Sequence, residues 1–213
     1  MEQALREPPG LLAAGGDLSP TRLLAAYERG VFPWYSAQQP ILWWSPDPRM
    51  VLFPGEFRCS RSLTKTLRNG PFVTRVDHAF GATIRGCAAP RRSGPDTWLN
   101  AEMIDSYDRL HELGFGHSVE TYRDDRLVGG LYGIQLGQVF FGESMFSLER
   151  DASKVALARL IEECRARDIK VIDCQVASAH LAGFGAREVS RSQFVGLLRE
   201  YARREPKGAW ATE

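Results

Sequence analysis

Two polar clusters interrupt stretches that otherwise read as buried strand. Residues 142–146 are Gly-Glu-Ser-Met-Phe, which puts Glu143 inside an aromatic run formed by Phe140, Phe141 and Phe146. Residues 172–176 are Ile-Asp-Cys-Gln-Val, an acid and an amide two positions apart in an apolar segment. Side chains on a strand alternate between faces, so this spacing puts Asp173 and Gln175 on the same face. A buried carboxylate is costly unless it is paired or used. If the two strands are neighbours, the three groups converge, and the chemistry open to them is proton movement and the positioning of a nucleophile. The bland alternative for Asp173 and Gln175 is a hydrogen-bonded structural pair. No Ser-His-Asp or Cys-His pattern accompanies them, and His78, His111, His117 and His180 are isolated and read as structural.

A second feature could meet a flat ligand. Residues 32–49 read FPWYSAQQPILWWSPDPR, with Trp34, Trp43 and Trp44 among four prolines. Proline removes a backbone donor and fixes φ, so the segment is neither a long helix nor a central strand. Large rings on an irregular backbone either plug a core or stack on nucleobases. Charge supports the second use. The formal net charge is only +1, but residues 58–92 carry eight bases (Arg58, Arg61, Lys65, Arg68, Arg75, Arg85, Arg91 and Arg92) against one acid, Asp77. Such a lobe suits a phosphate backbone and predicts salt-dependent binding.

Cys59, Cys87, Cys164 and Cys174 show no CxxC spacing. That points to a reducing compartment and away from a disulfide framework or structural zinc. The amino terminus carries early acids and no signal-like apolar stretch, and no run approaches membrane-spanning length. The expectation is a soluble cytoplasmic protein with no membrane partner.

The elements that must position these groups are readable. The Ser19-Pro20 pair starts a helix through Leu23 and Tyr27. A strand at 72–76, a helix at 79–87 and a loop at 90–95 follow. Met103, Ile104, Tyr107 and Leu110 have helical spacing. Three strands succeed one another at 117–123, 127–135 and 139–144. A helix capped by Asp151 has the apolar face Val155, Leu157, Leu160, Ile161 and Cys164. A strand at 170–176, a short helix, a strand near 186–189 and a helix opening on Ser190 complete the chain; Ser190 and Gln193 have capping-box spacing. The fold class is α+β: a small N-terminal domain (1–57), then an N-acetyltransferase-like (GNAT) domain (58–213) with a mixed, mainly antiparallel sheet and one helical crossover. The crossover helix is preceded by Ser147-Leu-Glu-Arg-Asp-Ala-Ser153, with no glycine and two acids. That loop is unsuited to a pyrophosphate, so a coenzyme-A-dependent acetyltransferase is the weaker reading. A non-catalytic tRNA-binding module would leave Glu143, Asp173 and Gln175 without a purpose.

GGDLSP (15–20), FPW (32–34), WWSPDPR (43–49), HSVE (117–120), VGGLYG (128–133), FGESMFS (141–147), ASK (152–154) and IDCQ (172–175), in this order, resemble the leucyl/phenylalanyl-tRNA–protein transferases. The resemblance implies transfer of leucine or phenylalanine, with methionine a further candidate, from leucyl-tRNA or phenylalanyl-tRNA. The acceptors are proteins with N-terminal Arg or Lys, which are thereby marked for N-end rule degradation. It implies Asp173 and Gln175 as a catalytic pair, with Glu143 beside them. It implies Trp34 and Trp98 as holders of the terminal adenosine, and Leu131, Met145, Leu157, Leu160, Cys164 and Ile172 as walls of the aminoacyl pocket. Trp43 and Trp44 are left as anchors of the N-terminal domain. An aminoacyl ester is already activated, so no cofactor or metal is expected, and a monomer suffices. Asp173 either orients Gln175 or acts itself as general base. Glu143 either attracts the cationic acceptor terminus or orients the ester.

Overall fold

The Trp/Pro segment folds back on itself as a small sheet. In the computed structural model, which describes residues 4–5, 7–89 and 99–210, β1 (Leu11–Ala14), β3 (Leu42–Trp44) and β2 (Phe32–Pro33) pair antiparallel in that order. Helix α1 (Pro20–Tyr27) has Pro20 in its first turn and buries Leu23 and Tyr27, one turn apart. Trp43 anchors this unit: its ring is buried and its Nε1 donates to the Gly15 carbonyl at 2.9 Å. Trp44 Nε1 donates to the Trp34 carbonyl at 2.6 Å. The loop at 90–95, Arg91, Arg92 and Trp98 lie outside the described residues.

The main body is a seven-stranded sheet. Its strands are β4 (Arg49–Leu52), β5 (Val73–Val76), β6 (Gly116–Arg123), β7 (Arg126–Leu136), β8 (Val139–Ser147), β9 (Val171–Gln175) and β10 (Arg187–Val189), in the order β10-β4-β9-β8-β7-β6-β5. Every pair is antiparallel except β8 and β9, which are parallel and joined by the crossover helix α5 (Ala152–Ala166). The mixed α+β architecture is thus the one expected. Strand β4 belongs to this larger sheet, although it falls within residues 1–57. Helix α2 (Arg61–Asn69), capped by Ser60 Oγ, is an element with no counterpart in the sequence reading.

Two apolar clusters flank the sheet, as alternation on the central strands requires. On β4, Val51 belongs to one cluster, Met50 and Leu52 to the other. The first contains Tyr27 of α1, Phe80 and Ile84 of α3 (Phe80–Ala88), and Met103, Tyr107 and Leu110 of α4 (Ala101–Glu112). It also contains Phe194 and Leu198 of α7 (Arg191–Tyr201), whose start carries the anticipated Ser190–Gln193 capping box. The second is covered by α5. Asp151 precedes α5 but does not cap it through its side chain. Its backbone is left-handed (φ 68°), and its carboxylate instead accepts from Lys154 Nζ at 2.6 Å.

Candidate functional site

Strands β8 and β9 pair only as far as Phe141 and Asp173, and beyond that point they part. A cavity of about 460 Å³ opens in the gap and is lined from both faces of the sheet. The residues expected from sequence gather here. Glu143, Asp173, Gln175, Trp34, Leu131, Met145, Leu157, Leu160 and Ile172 all line it, together with Cys174 and His180. Cys164 is not among the lining residues; it is buried in the cluster beneath α5. Trp98 is outside the described residues.

Two irregularities aim the polar groups. Opposite Gly133 and Tyr132, β8 accommodates an extra residue between Gly142 and Ser144, and that residue is Glu143. A bulge of this kind reverses the phase of alternation and re-aims a side chain. Phe141 therefore packs in the cluster with Tyr27 and Tyr107, while Met145 faces the cluster under α5. On β9 the register against β4 shifts between Val51–Asp173 and Met50–Gln175, leaving Cys174 extra. Gln175 then takes φ 64°, a left-handed conformation uncommon outside glycine. The period of two is broken at this point. What brings Asp173 and Gln175 together is the bulge, and the Gln175 N–H donates to Asp173 Oδ1 at 2.9 Å.

Asp173 is fully engaged by a residue absent from the sequence-derived site. Arg49 donates Nε to Asp173 Oδ1 (2.8 Å) and Nη2 to Oδ2 (2.6 Å), with both side chains almost wholly inaccessible. Its third nitrogen donates to the Gly30 carbonyl at 3.0 Å. Its carbon lies 4.7 Å from the Phe32 ring centre and 4.6 Å from that of Phe194. Such a bidentate pair fixes the carboxylate in place, with both of its oxygens occupied by Arg49.

Glu143 has different company. Its Oε1 accepts from Tyr27 Oη (2.8 Å) and from Gln175 Nε2 (3.0 Å), and its Oε2 accepts from Tyr107 Oη (2.9 Å). The phenol oxygens are themselves 2.7 Å apart. Burial pushes the Glu143 carboxyl up to about 7, against the opposing effect of the two tyrosines. Burial, with Glu143 nearby, also raises both phenols well above their ordinary range, so they stay protonated. Because the Gln175 amide nitrogen faces Glu143, its carbonyl oxygen is left as the end free to accept a hydrogen bond. Tyr27 and Tyr107 were legible only as members of apolar helix stripes, although a buried phenol generally needs a polar partner.

The other half of the cavity is apolar, with Leu52, Leu131, Met145, Leu157, Leu160, Ile172 and Leu181 as walls. Trp34 stands at its edge, 44% exposed, its ring 5.8 Å from that of Trp44. The start of α5 offers no open anion cradle. The Ala152, Ser153 and Lys154 amides already donate to Glu149 O, Ser147 Oγ and Asp151 O. In the basic lobe, Arg75 and Arg85 pair with Asp125 (3.9 Å) and Asp108 (3.3 Å). Arg58, Arg61, Lys65 and Arg68 have no ion-pair partner among the described residues. No helix among the described residues is long and apolar enough to cross a membrane.

Residues 51–199 match the family model of the leucyl/phenylalanyl-tRNA protein transferase, and residues 16–47 match the model of that protein's N-terminal domain. A leucyl/phenylalanyl-tRNA–protein transferase of Aromatoleum aromaticum is 55% identical over 214 residues, covering 100% of this chain and 90% of the relative. One from Azoarcus sp. is 56% identical over 212 residues, covering 99% and 90%. Among solved structures, a GCN5-related N-acetyltransferase from Kribbella flavida aligns with a TM-score of 0.38 at 11% identity, covering 81% of this chain and 61% of that one. The chain belongs to the leucyl/phenylalanyl-tRNA–protein transferase family.

Proposed function

We propose that the cavity between β8 and β9 holds the aminoacylated 3′ end of leucyl-tRNA or phenylalanyl-tRNA, and that the acceptor's α-amine attacks the ester there. The acceptors are proteins with N-terminal Arg or Lys, and the product carries a leucine or phenylalanine that marks it for N-end rule degradation in the cytoplasm. The observation that carries this reading is the two-sided lining. Apolar walls suited to an uncharged side chain meet a hydrogen-bonded polar wall of Glu143 and Gln175 in one opening, with an exposed indole at its edge.

Leu131, Met145, Leu157, Leu160 and Ile172 receive the aminoacyl side chain, and Trp34 stacks on the adenine, with Trp98 as its expected second holder. Methionine, unbranched and apolar, is a further donor the walls tolerate. Asp173 acts as a positioning residue: clamped by Arg49, it fixes the left-handed turn at Gln175, whose carbonyl oxygen receives the amine. Holding amine and ester in attack geometry supplies much of the acceleration. Arg58, Arg61, Lys65 and Arg68 contact the tRNA backbone. The protein works as a monomer without cofactor or metal, because the ester is already activated.

The test is incubation of the purified protein with radiolabelled phenylalanyl-, leucyl- or methionyl-tRNA and a peptide beginning with arginine. Label in the peptide is expected from the first two, and much less when the peptide begins with an acetylated arginine. No transfer from any donor would overturn the reading.

A further inference from the structure

Three short contacts close a ring: Tyr27 Oη to Tyr107 Oη (2.7 Å), Tyr27 Oη to Glu143 Oε1 (2.8 Å) and Tyr107 Oη to Glu143 Oε2 (2.9 Å). Each is a hydrogen-bond distance and needs one proton between its oxygens. The two phenols supply two. With Glu143 ionised, one contact brings lone pairs together without a proton. A proton arriving at Glu143 Oε2 lets Tyr107, which donates to that oxygen, turn its own proton to Tyr27 and fill the contact between the phenols. Gln175 Nε2 donates to Oε1 in either state. In the structure both phenols donate to Glu143, the arrangement of a carboxylate ready to take a proton.

We propose that Glu143, held by Tyr27 and Tyr107, is the proton acceptor of the transfer reaction, and that the two tyrosines are positioning residues that hold its carboxylate through the hydrogen bonds they donate. This rests on the transferase reading above. The acceptor's α-ammonium gives one proton to the Glu143 carboxylate and becomes the neutral amine. The amine lone pair forms the new C–N bond at the ester carbonyl carbon. The C–O bond to the ribose breaks, its electron pair stays on the ribose oxygen, and that oxygen takes the second proton lost by nitrogen. Glu143 returns its proton to solvent before the next turnover.

Every ionisable group packed around Glu143 agrees with this division of labour. Asp173 of β9 is consumed by Arg49 of β4. Tyr27 of α1, Tyr107 of α4 and Tyr132 of β7 are phenols kept protonated by burial. Cys174 of β9 is pushed up by burial and by Asp173. Glu143, raised to about 7, lies close to the ordinary α-amine range of roughly 7.7–8.0, which suits proton exchange between them.

The experiment measures single-turnover transfer to an arginine peptide across pH 5.5–9, alongside carboxyl infrared difference spectra of the free protein. For the wild type, the rate should fall below a midpoint near 7, and a protonated-carboxyl band should disappear on raising the pH through the same midpoint. Glu143→Gln should remove the band and slow transfer at least 100-fold. Tyr27→Phe and Tyr107→Phe should each move both midpoints together, upward by roughly one pH unit, because a donor to the ionised carboxylate is lost. A purely structural role for the tyrosines would lower the amount of folded protein and leave both midpoints in place. The proposal is overturned if wild-type transfer proceeds with no carboxyl titrating above pH 6, or if Glu143→Gln retains the wild-type rate and profile. Failure of wild-type transfer at every pH would instead sink the transferase reading.

Discussion

Replacing Arg49 by methionine removes the most heavily committed side chain of the site. Arg49 and Asp173 share two hydrogen bonds of 2.8 and 2.6 Å with essentially no solvent access. The methionine approximates the arginine stem but strips Asp173 of every partner shown except the Gln175 amide, and leaves the Gly30 carbonyl without its 3.0 Å donor. Breaking one side of a buried ion pair costs about 3–5 kcal/mol, because the other charge stays buried and uncompensated. For a chain of this size each kcal/mol moves Tm by roughly 2–4 °C, so Arg49→Met should lower Tm by about 6–20 °C. Replacing both partners, Arg49→Met with Asp173→Leu, removes the stranded charge and should recover most of that loss. Transfer should stay low in the double variant, since Gln175 has lost the carboxylate that fixes its turn. Urea unfolding followed by tryptophan fluorescence, with thermal unfolding by circular dichroism, gives the complete cycle. An Arg49→Met variant within about 1 kcal/mol of wild type, or a double variant as unstable as the two single effects combined, would refute the reasoning.

Glu143 also links stability to pH. Its folded value of about 7 lies above the ordinary 4.5, so the folded protein binds the extra proton between those values. Stability from this group is present below pH 4.5 and lost as pH rises to and through 7, by on the order of 3 kcal/mol; Glu143→Gln should flatten that slope in urea titrations. Trp34→Ala should weaken binding of an aminoacyl-adenosine analogue by roughly 5- to 150-fold through loss of stacking, with little change in Tm, since the ring is 44% exposed. Leu160→Phe narrows an apolar wall and should reduce transfer from phenylalanyl-tRNA relative to leucyl-tRNA by about tenfold or more, read as a ratio of kcat/KM values. Arg61→Gln and Lys65→Gln on α2 should each reduce the slope of log affinity for tRNA against log salt by about 0.7–0.9, with an unchanged slope counting against that face.

Much of the fold was legible because hydrophobic period and punctuation agree locally. The α5 stripe, the turns between β6, β7 and β8, and the Ser190–Gln193 box are all local signals, and each appears in the structure. The small β1-β3-β2 sheet was hidden because its strands are two to four residues long and lie among prolines. Helix α2 was hidden because its only buried residue is Leu63, so it carries almost no apolar stripe. At the site, Glu143, Asp173 and Gln175 stood out as polar groups in apolar strands. Their geometry did not, because an extra residue at Glu143 and another at Cys174 reset the alternation in ways a period of two cannot reveal. Arg49 escaped notice for a related reason: its partner is 124 positions away, and only the β4–β9 pairing unites them.

The most direct test of the account is transfer from phenylalanyl-tRNA to a peptide beginning with arginine, run side by side with wild type, Gln175→Ala and Glu143→Gln at pH 8. The account predicts rapid peptide labelling by wild type and a loss of at least 100-fold in both variants, with analogue binding retained. Labelling by both variants at the wild-type rate, or none by the wild type, would contradict it.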